Sequence, residues 1–145
     1  MSEVPAVGPG RAGAGPFGPG LVGEASVTVV PELTARHLGS GTVAVFATPE
    51  MVRLMERAAV NGLAPYLADG QQSVGTMVNI KHLAATPIGA TVTARAELVS
   101  IDGRRLMFKV SAHDGTDLIG EGTHERALID LARFEARVAA KQQGQ

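Results

Sequence analysis

Glu56, His82 and Thr48 are the side chains of this sequence whose type and setting could serve acid–base chemistry. Glu56 belongs to the stretch Thr48-Pro49-Glu50-Met51-Val52-Arg53-Leu54-Met55-Glu56-Arg57-Ala58. On a wheel of 100° per residue with Met51 at zero, Met51, Val52, Leu54, Met55, Ala58 and Ala59 fill an arc from about −60° to about +100°. Arg53, Arg57, Glu50 and Asn61 lie opposite, and Glu56 falls near about 140°, at the margin of the apolar arc. A carboxylate there is either a solvated flank or a partly desolvated functional acid. His82 shares one face of an alternating strand with Val74, Thr76, Val78 and Ile80, close to the strand end. It is either a satisfied core histidine or a catalyst at a pocket mouth. Thr48 reads as an N-cap, its hydroxyl accepting from a first-turn N–H.

Other chemistries lack their residues. The chain has no cysteine, so disulfides, thiolate metal sites and a cysteine nucleophile are all excluded. His37, His82, His113 and His124 fall on four different elements, with no HExxH or Walker-type run. Neither a G-x-S-x-G elbow nor a G-x-G-x-x-G fingerprint occurs. Gly120-Glu121-Gly122 reads as close backbone packing within a strand.

The elements that must carry these residues follow from periodicity. Residues 1–23, rich in Gly, Pro and Ala, read as a flexible tail. Residues 25–30 form a first strand ended by Pro31, and Arg36-His37-Leu38-Gly39 is a loop or short helical turn. A central helix starts at Pro49, which suits the first helical position, and ends near Gly62. Four antiparallel strands then span 73–83, 91–101, 104–113 and 117–129, with Asp102-Gly103 and Asp114-Gly115 as hairpin turns. A C-terminal helix over 130–141 presents Leu131, Phe134 and Val138 on one side. One long helix against a curved antiparallel sheet of about five strands is an α+β layout, the hot-dog arrangement. Its sheet edges call for cover, for which a homodimer is the usual remedy.

Composition sets the outer bounds. A chain of 145 residues supports a single domain, taken as 24–141. With 45% hydrophobic residues and 3% aromatics, the core must be built from Val, Leu, Ala, Met and Ile. A formal net charge of −1 with no basic block argues against nucleic acid as a partner. No run approaches the roughly 20 apolar residues of a membrane span, and no secretory signal pattern opens the chain. The expectation is a cytoplasmic protein.

Several blocks together resemble the fluoroacetyl-CoA thioesterase family of hot-dog proteins. They are Val45-Phe46-Ala47-Thr48, Leu54-Met55-Glu56, Ser73-Val74-Gly75-Thr76, His82-Leu83-Ala84-Ala85-Thr86-Pro87, Gly103-Arg104-Arg105-Leu106, Val110-Ser111-Ala112-His113-Asp114-Gly115, and Ile119-Gly120-Glu121-Gly122-Thr123-His124-Glu125-Arg126-Ala127. The resemblance covers about residues 25–138. It implies hydrolysis of a small or short-chain acyl-CoA, with no metal and no cofactor beyond the CoA of the substrate. It matches Thr48, Glu56 and His82 to a catalytic set, and Gly75 and Arg126 to positions lining the acyl pocket. Glu56 would serve as base or nucleophile, Thr48 would orient, and His82 would polarise the carbonyl or protonate the leaving thiolate. In the fluoroacetyl-specific members a longer segment before the matched threonine carries phenylalanines that gate the acyl group. Here 39–44 contains no aromatic residue, so the resemblance implies a broader substrate range. Two other classes are open to the same fold: an acyl-CoA-binding protein without turnover, and an acyl-thioester dehydratase or hydratase.

Overall fold

A computed structural model of the chain describes residues 17–144. The first element is strand β1 (Val22–Thr28), followed by a 3-10 turn at Pro31–Leu33 and a single helical turn, α1 (Ala35–Leu38). Helix α2 (Thr48–Leu63) comes next, continued by a 3-10 turn at Ala64–Tyr66. Strands β2 (Gln71–His82), β3 (Thr91–Asp102), β4 (Arg105–His113) and β5 (Leu118–Asp130) precede helix α3 (Leu131–Gln143). The strands form one antiparallel sheet in the order β1-β3-β4-β5-β2, leaving β1 and β2 at its edges.

The clean alternation of β3 and β4 fixes which face is the core. Val92, Ala94, Ala96 and Leu98 are buried, as are Leu106, Phe108, Val110 and Ala112. Against this face α2 lays Met51, Leu54, Met55, Ala58 and Ala59 of its apolar arc, with Leu63 just beyond the arc's edge. Small residues let helix and sheet approach. A methyl group at Gly120 would lie 2.5 Å from Met51 Sδ, and one at Gly122 would collide with the Asn79 carbonyl. The Gly-Glu-Gly step is thus a packing feature, as its sequence suggests.

Four expectations need correction. Residues 1–16 of the expected tail lie outside the described residues, but 17–23 are part of the fold. Phe17 and Leu21 are buried, the Phe17 ring sits 5.7 Å from Tyr66, and β1 starts at Val22 rather than Ala25. The Gly20 N–H donates to Leu98 O and the Leu98 N–H to Leu21 O, which extends the β1–β3 pairing backwards. Gly62 does not end the helix. It sits inside α2 because a side chain there would press on Leu21 and the Gly23 backbone. Thr48 is the first helical residue and caps nothing; the N-cap is Ala47, with no side-chain bond.

The fourth correction concerns β2. Its pairing with β5 shifts between Gly75 and Met77, a bulge at Thr76. One extra residue reverses which face every earlier side chain takes. Val78, Ile80 and His82 keep the inward face expected of them, opposite His124, Gly122 and Gly120. Val74 and Thr76 do not: Gly75 and Ser73 turn inward instead, opposite Arg126 and Leu128. Val74 joins a shallow groove beside Leu131, Phe134 and Val138 of α3. That helix is capped by Asp130, whose carboxylate accepts from the Arg133 N–H at 2.9 Å. Asp130→Ala is expected to lower stability by about 1 kcal/mol, read as a smaller urea midpoint with an unchanged slope.

Candidate active site

The inward residues of β2 and β5 meet α2 at two places. At the start of α2, Thr48 Oγ1 lies 2.7 Å from His82 Nδ1, which couples the helix N-terminus to the end of β2. Backbone bonds hold the two segments in this relation. The Phe46 N–H donates to Thr86 O, Val45 bridges Pro87, and the Leu83 N–H donates to Ile119 O. The buried Thr86 hydroxyl in turn donates to Asp114 at 2.9 Å. Backbone N–H groups of Asp117 and Thr116 pull the Asp114 carboxyl below its usual range, so it stays an acceptor. Burial pushes the His82 imidazole below its ordinary value, which keeps it neutral at neutral pH. Its Nε2 is buried and, among the described residues, finds no side-chain or backbone hydrogen-bond partner. The pair opens on a cleft of about 390 Å³ lined by Ser40, Phe46, Thr48, His82, Ala84 and Ala85.

Two turns along the helix lies a second group. Glu56 Oε2 is 3.9 Å from Arg126 NH1. Arg126 is 6% exposed, and its guanidinium donates from Nε to Ser73 Oγ at 2.8 Å and from NH2 to Ser73 O at 3.0 Å. Its NH1 lies 3.1 Å from His124 Nε2. Gly75 faces all three: a Cβ there would be 2.8 Å from Glu56 Oε2, 3.3 Å from His124 Cε1 and 3.4 Å from Arg126 NH1. Only glycine leaves this corner open beside the carboxylate.

The structure therefore joins Thr48 with His82, and Glu56 with Gly75 and Arg126, but keeps the two groups apart within one chain. Thr48 and Glu56 are separated by about 12 Å of helix rise. His82 and Gly75 stand about 20 Å apart along β2. His124 is the site residue to which the sequence reading gives no role. Its signal was parity: two positions from Arg126 on one strand, it must share the inward face. His37 and His113 are exposed and join neither group. Among the described residues no cluster of three or more His, Asp or Glu is placed to hold a metal ion, and no helix is long and apolar enough to cross a membrane.

The fold has known counterparts. A family model described as fluoroacetyl-CoA-specific thioesterase matches residues 29–132. The fluoroacetyl-CoA thioesterase of Streptantibioticus cattleyicolor is 53% identical over 119 residues, which is 78% of this chain and 86% of that protein. A solved structure of the fluoroacetyl-CoA thioesterase FlK is 50% identical and superposes with a TM-score of 0.79, covering 84% of this chain and 95% of that one. A thioesterase superfamily member from Thermus thermophilus reaches the same TM-score at 31% identity, covering 88% and 96% of the two chains. With the family model spanning β3 to β5 and both ends of α2, this chain belongs to the fluoroacetyl-CoA-specific thioesterase family, thioester hydrolases of the hot-dog fold.

Proposed function

We propose that the protein hydrolyses small acyl-CoA thioesters at a site completed between two copies of the chain. The observation that carries this reading is the split of the matched residues into two inward-facing groups on one free sheet edge. Among the described residues strand β2 has a partner on one side only, and an unpaired edge invites a second strand. If two copies pair antiparallel about a two-fold axis near Asn79, Gly75 of one stands opposite His82 of the other. Both residues face inward, so Glu56 beside Gly75 then meets the Thr48–His82 pair of the second copy. The unpartnered His82 Nε2 gains a carboxylate or substrate oxygen to bond.

The chemistry follows from these neighbours. Glu56 takes a proton from water as the water oxygen attacks the thioester carbonyl, or attacks directly to give a mixed anhydride that water then opens. Negative charge builds on the carbonyl oxygen. The positive end of the α2 dipole and N–H groups near Gly75 would stabilise it, each donor being worth about 3 kcal/mol in comparable sites. Collapse breaks the carbon–sulfur bond, and the proton that Glu56 took from water passes through His82, oriented by Thr48, to the departing thiolate. None of these steps calls on a metal or a further cofactor; CoA enters with the substrate, and a cytoplasmic location suits the reading.

The substrate class rests on the family and on relatives such as FlK, one structure of which holds fluoroacetate and CoA. The acyl range rests on the cleft. The segment over it, Gly39–Thr42 and Val43, is exposed and carries no aromatic ring. Thiol release from acetyl-, fluoroacetyl-, butyryl-, phenylacetyl- and long-chain acyl-CoA tests this. Several short acyl groups are expected to turn over with kcat/KM values within about tenfold of one another. A preference for fluoroacetyl-CoA above about 10³-fold would overturn the broad range, and no turnover with acyl-CoA still bound would leave a binding protein.

A further inference from the structure

His124 is 1% exposed and makes two hydrogen bonds whose chemistry fixes its form. Its Nδ1 lies 2.8 Å from Met77 O. A carbonyl oxygen only accepts, so Nδ1 carries the proton. Arg126 NH1, at 3.1 Å from Nε2, only donates, so Nε2 must offer its lone pair. The neutral Nδ1–H tautomer alone satisfies both. Met77 directly follows the Thr76 bulge, and the His124 ring rests near Phe108, with centroids 6.4 Å apart. The charged groups facing His124 are Arg126 on its own strand and Glu56 on α2. A protonated ring would turn an N–H and a positive charge toward the guanidinium.

We propose that His124 is a positioning residue of the thioesterase site, a lone-pair donor that fixes the Arg126 guanidinium opposite the Glu56 carboxylate. The inference rests on the reading of Glu56 as the acting carboxylate and deepens it. Ser73 holds Arg126 through Nε and NH2, while NH1, the nitrogen nearest Glu56, depends on His124 for its hydrogen bond. Burial pushes the imidazole below its ordinary value, which keeps the acceptor form in place at neutral pH.

Two measurements on the full chain test this. In ¹⁵N-histidine NMR, His124 is expected as the Nδ1–H tautomer at neutral pH, titrating below the ordinary histidine value. An Nε2–H tautomer, or titration above that ordinary value, would overturn the proposal whether or not the protein is an enzyme. In thiol-release assays His124→Phe, which lacks the acceptor, is expected to lower kcat by about 30- to 100-fold with KM little changed. His124→Gln, whose Oε1 can accept from Arg126, should recover kcat to within about fivefold of wild type. Equal loss in both variants, or no loss in either, would sink the positioning role. Absence of turnover in the wild-type protein would count against the thioesterase reading, with the NMR result standing separately.

Discussion

Glu56→Gln and His82→Ala proteins, each reduced by about 10³-fold alone, are expected to recover about one quarter of wild-type turnover after subunit exchange in an equal mixture. The recovery follows from the geometry of the two half-sites. If Glu56 of one copy serves the Thr48–His82 pair of the other, a mixed dimer holds one site with both lesions and one with neither. Random pairing makes about half the dimers mixed, so about a quarter of all sites are intact. A site contained in one chain would give no recovery, because every chain in the mixture carries a lesion. Thiol release after a denature–renature cycle reads the outcome, and light scattering should report a dimer. A monomer, or a mixture no more active than its components, would refute the shared site. The single losses are large because each change removes a group that acts on developing charge or on a moving proton.

Gly23→Ala is expected to cost about 3 kcal/mol, with a fall in Tm of about 10 °C. Gly23 lies on β1 against the C-terminal half of α2. A methyl group there would collide with the Ala58 carbonyl and lie 2.5 Å from Gly62 N and 2.7 Å from Gly62 Cα. All of these are backbone atoms, so no rotamer change relieves the clash. The helix must lift from the sheet, and with it the bond from Asn61 Nδ2 to Glu24 O at 2.8 Å. The neighbouring exposed Ser26→Ala, which loses only a surface bond to Thr93, should stay within about 0.5 kcal/mol of wild type. Thermal and urea unfolding of the two variants decide the matter. Equal stability would mean that helix and strand have room for a methyl group between them.

Much of the fold was legible because it depends on local periodicity. The strict alternation of β3 and β4 named their core face, and the 100° spacing on α2 named Met51, Leu54, Met55, Ala58 and Ala59. The turns at Gly103 and Gly115 take left-handed backbone, at φ 61° and 90°, as Asp-Gly pairs suggest. The Gly/Pro-rich start misled. Composition predicts a tail across 1–23, yet Phe17 and Leu21 find apolar neighbours at Tyr66 and on α2 that no reading of that segment contains.

The candidate site divides along the same line. Sequence alone determined the residue types that could act, the helix and strands that carry them, and Glu56 at the edge of a buried arc. Tertiary structure decided the rest: that Thr48 gives its hydroxyl to His82 instead of a cap, that the Thr76 bulge turns Gly75 toward Glu56, and that His124 holds Arg126. A cap and a side-chain pair differ only in whether a partner 34 residues away arrives. A bulge is defined by a partner strand about 50 residues further on, so the period of β2 itself cannot reveal it. Periodicity sets which way a side chain points from its own element, while long-range pairing sets what it meets.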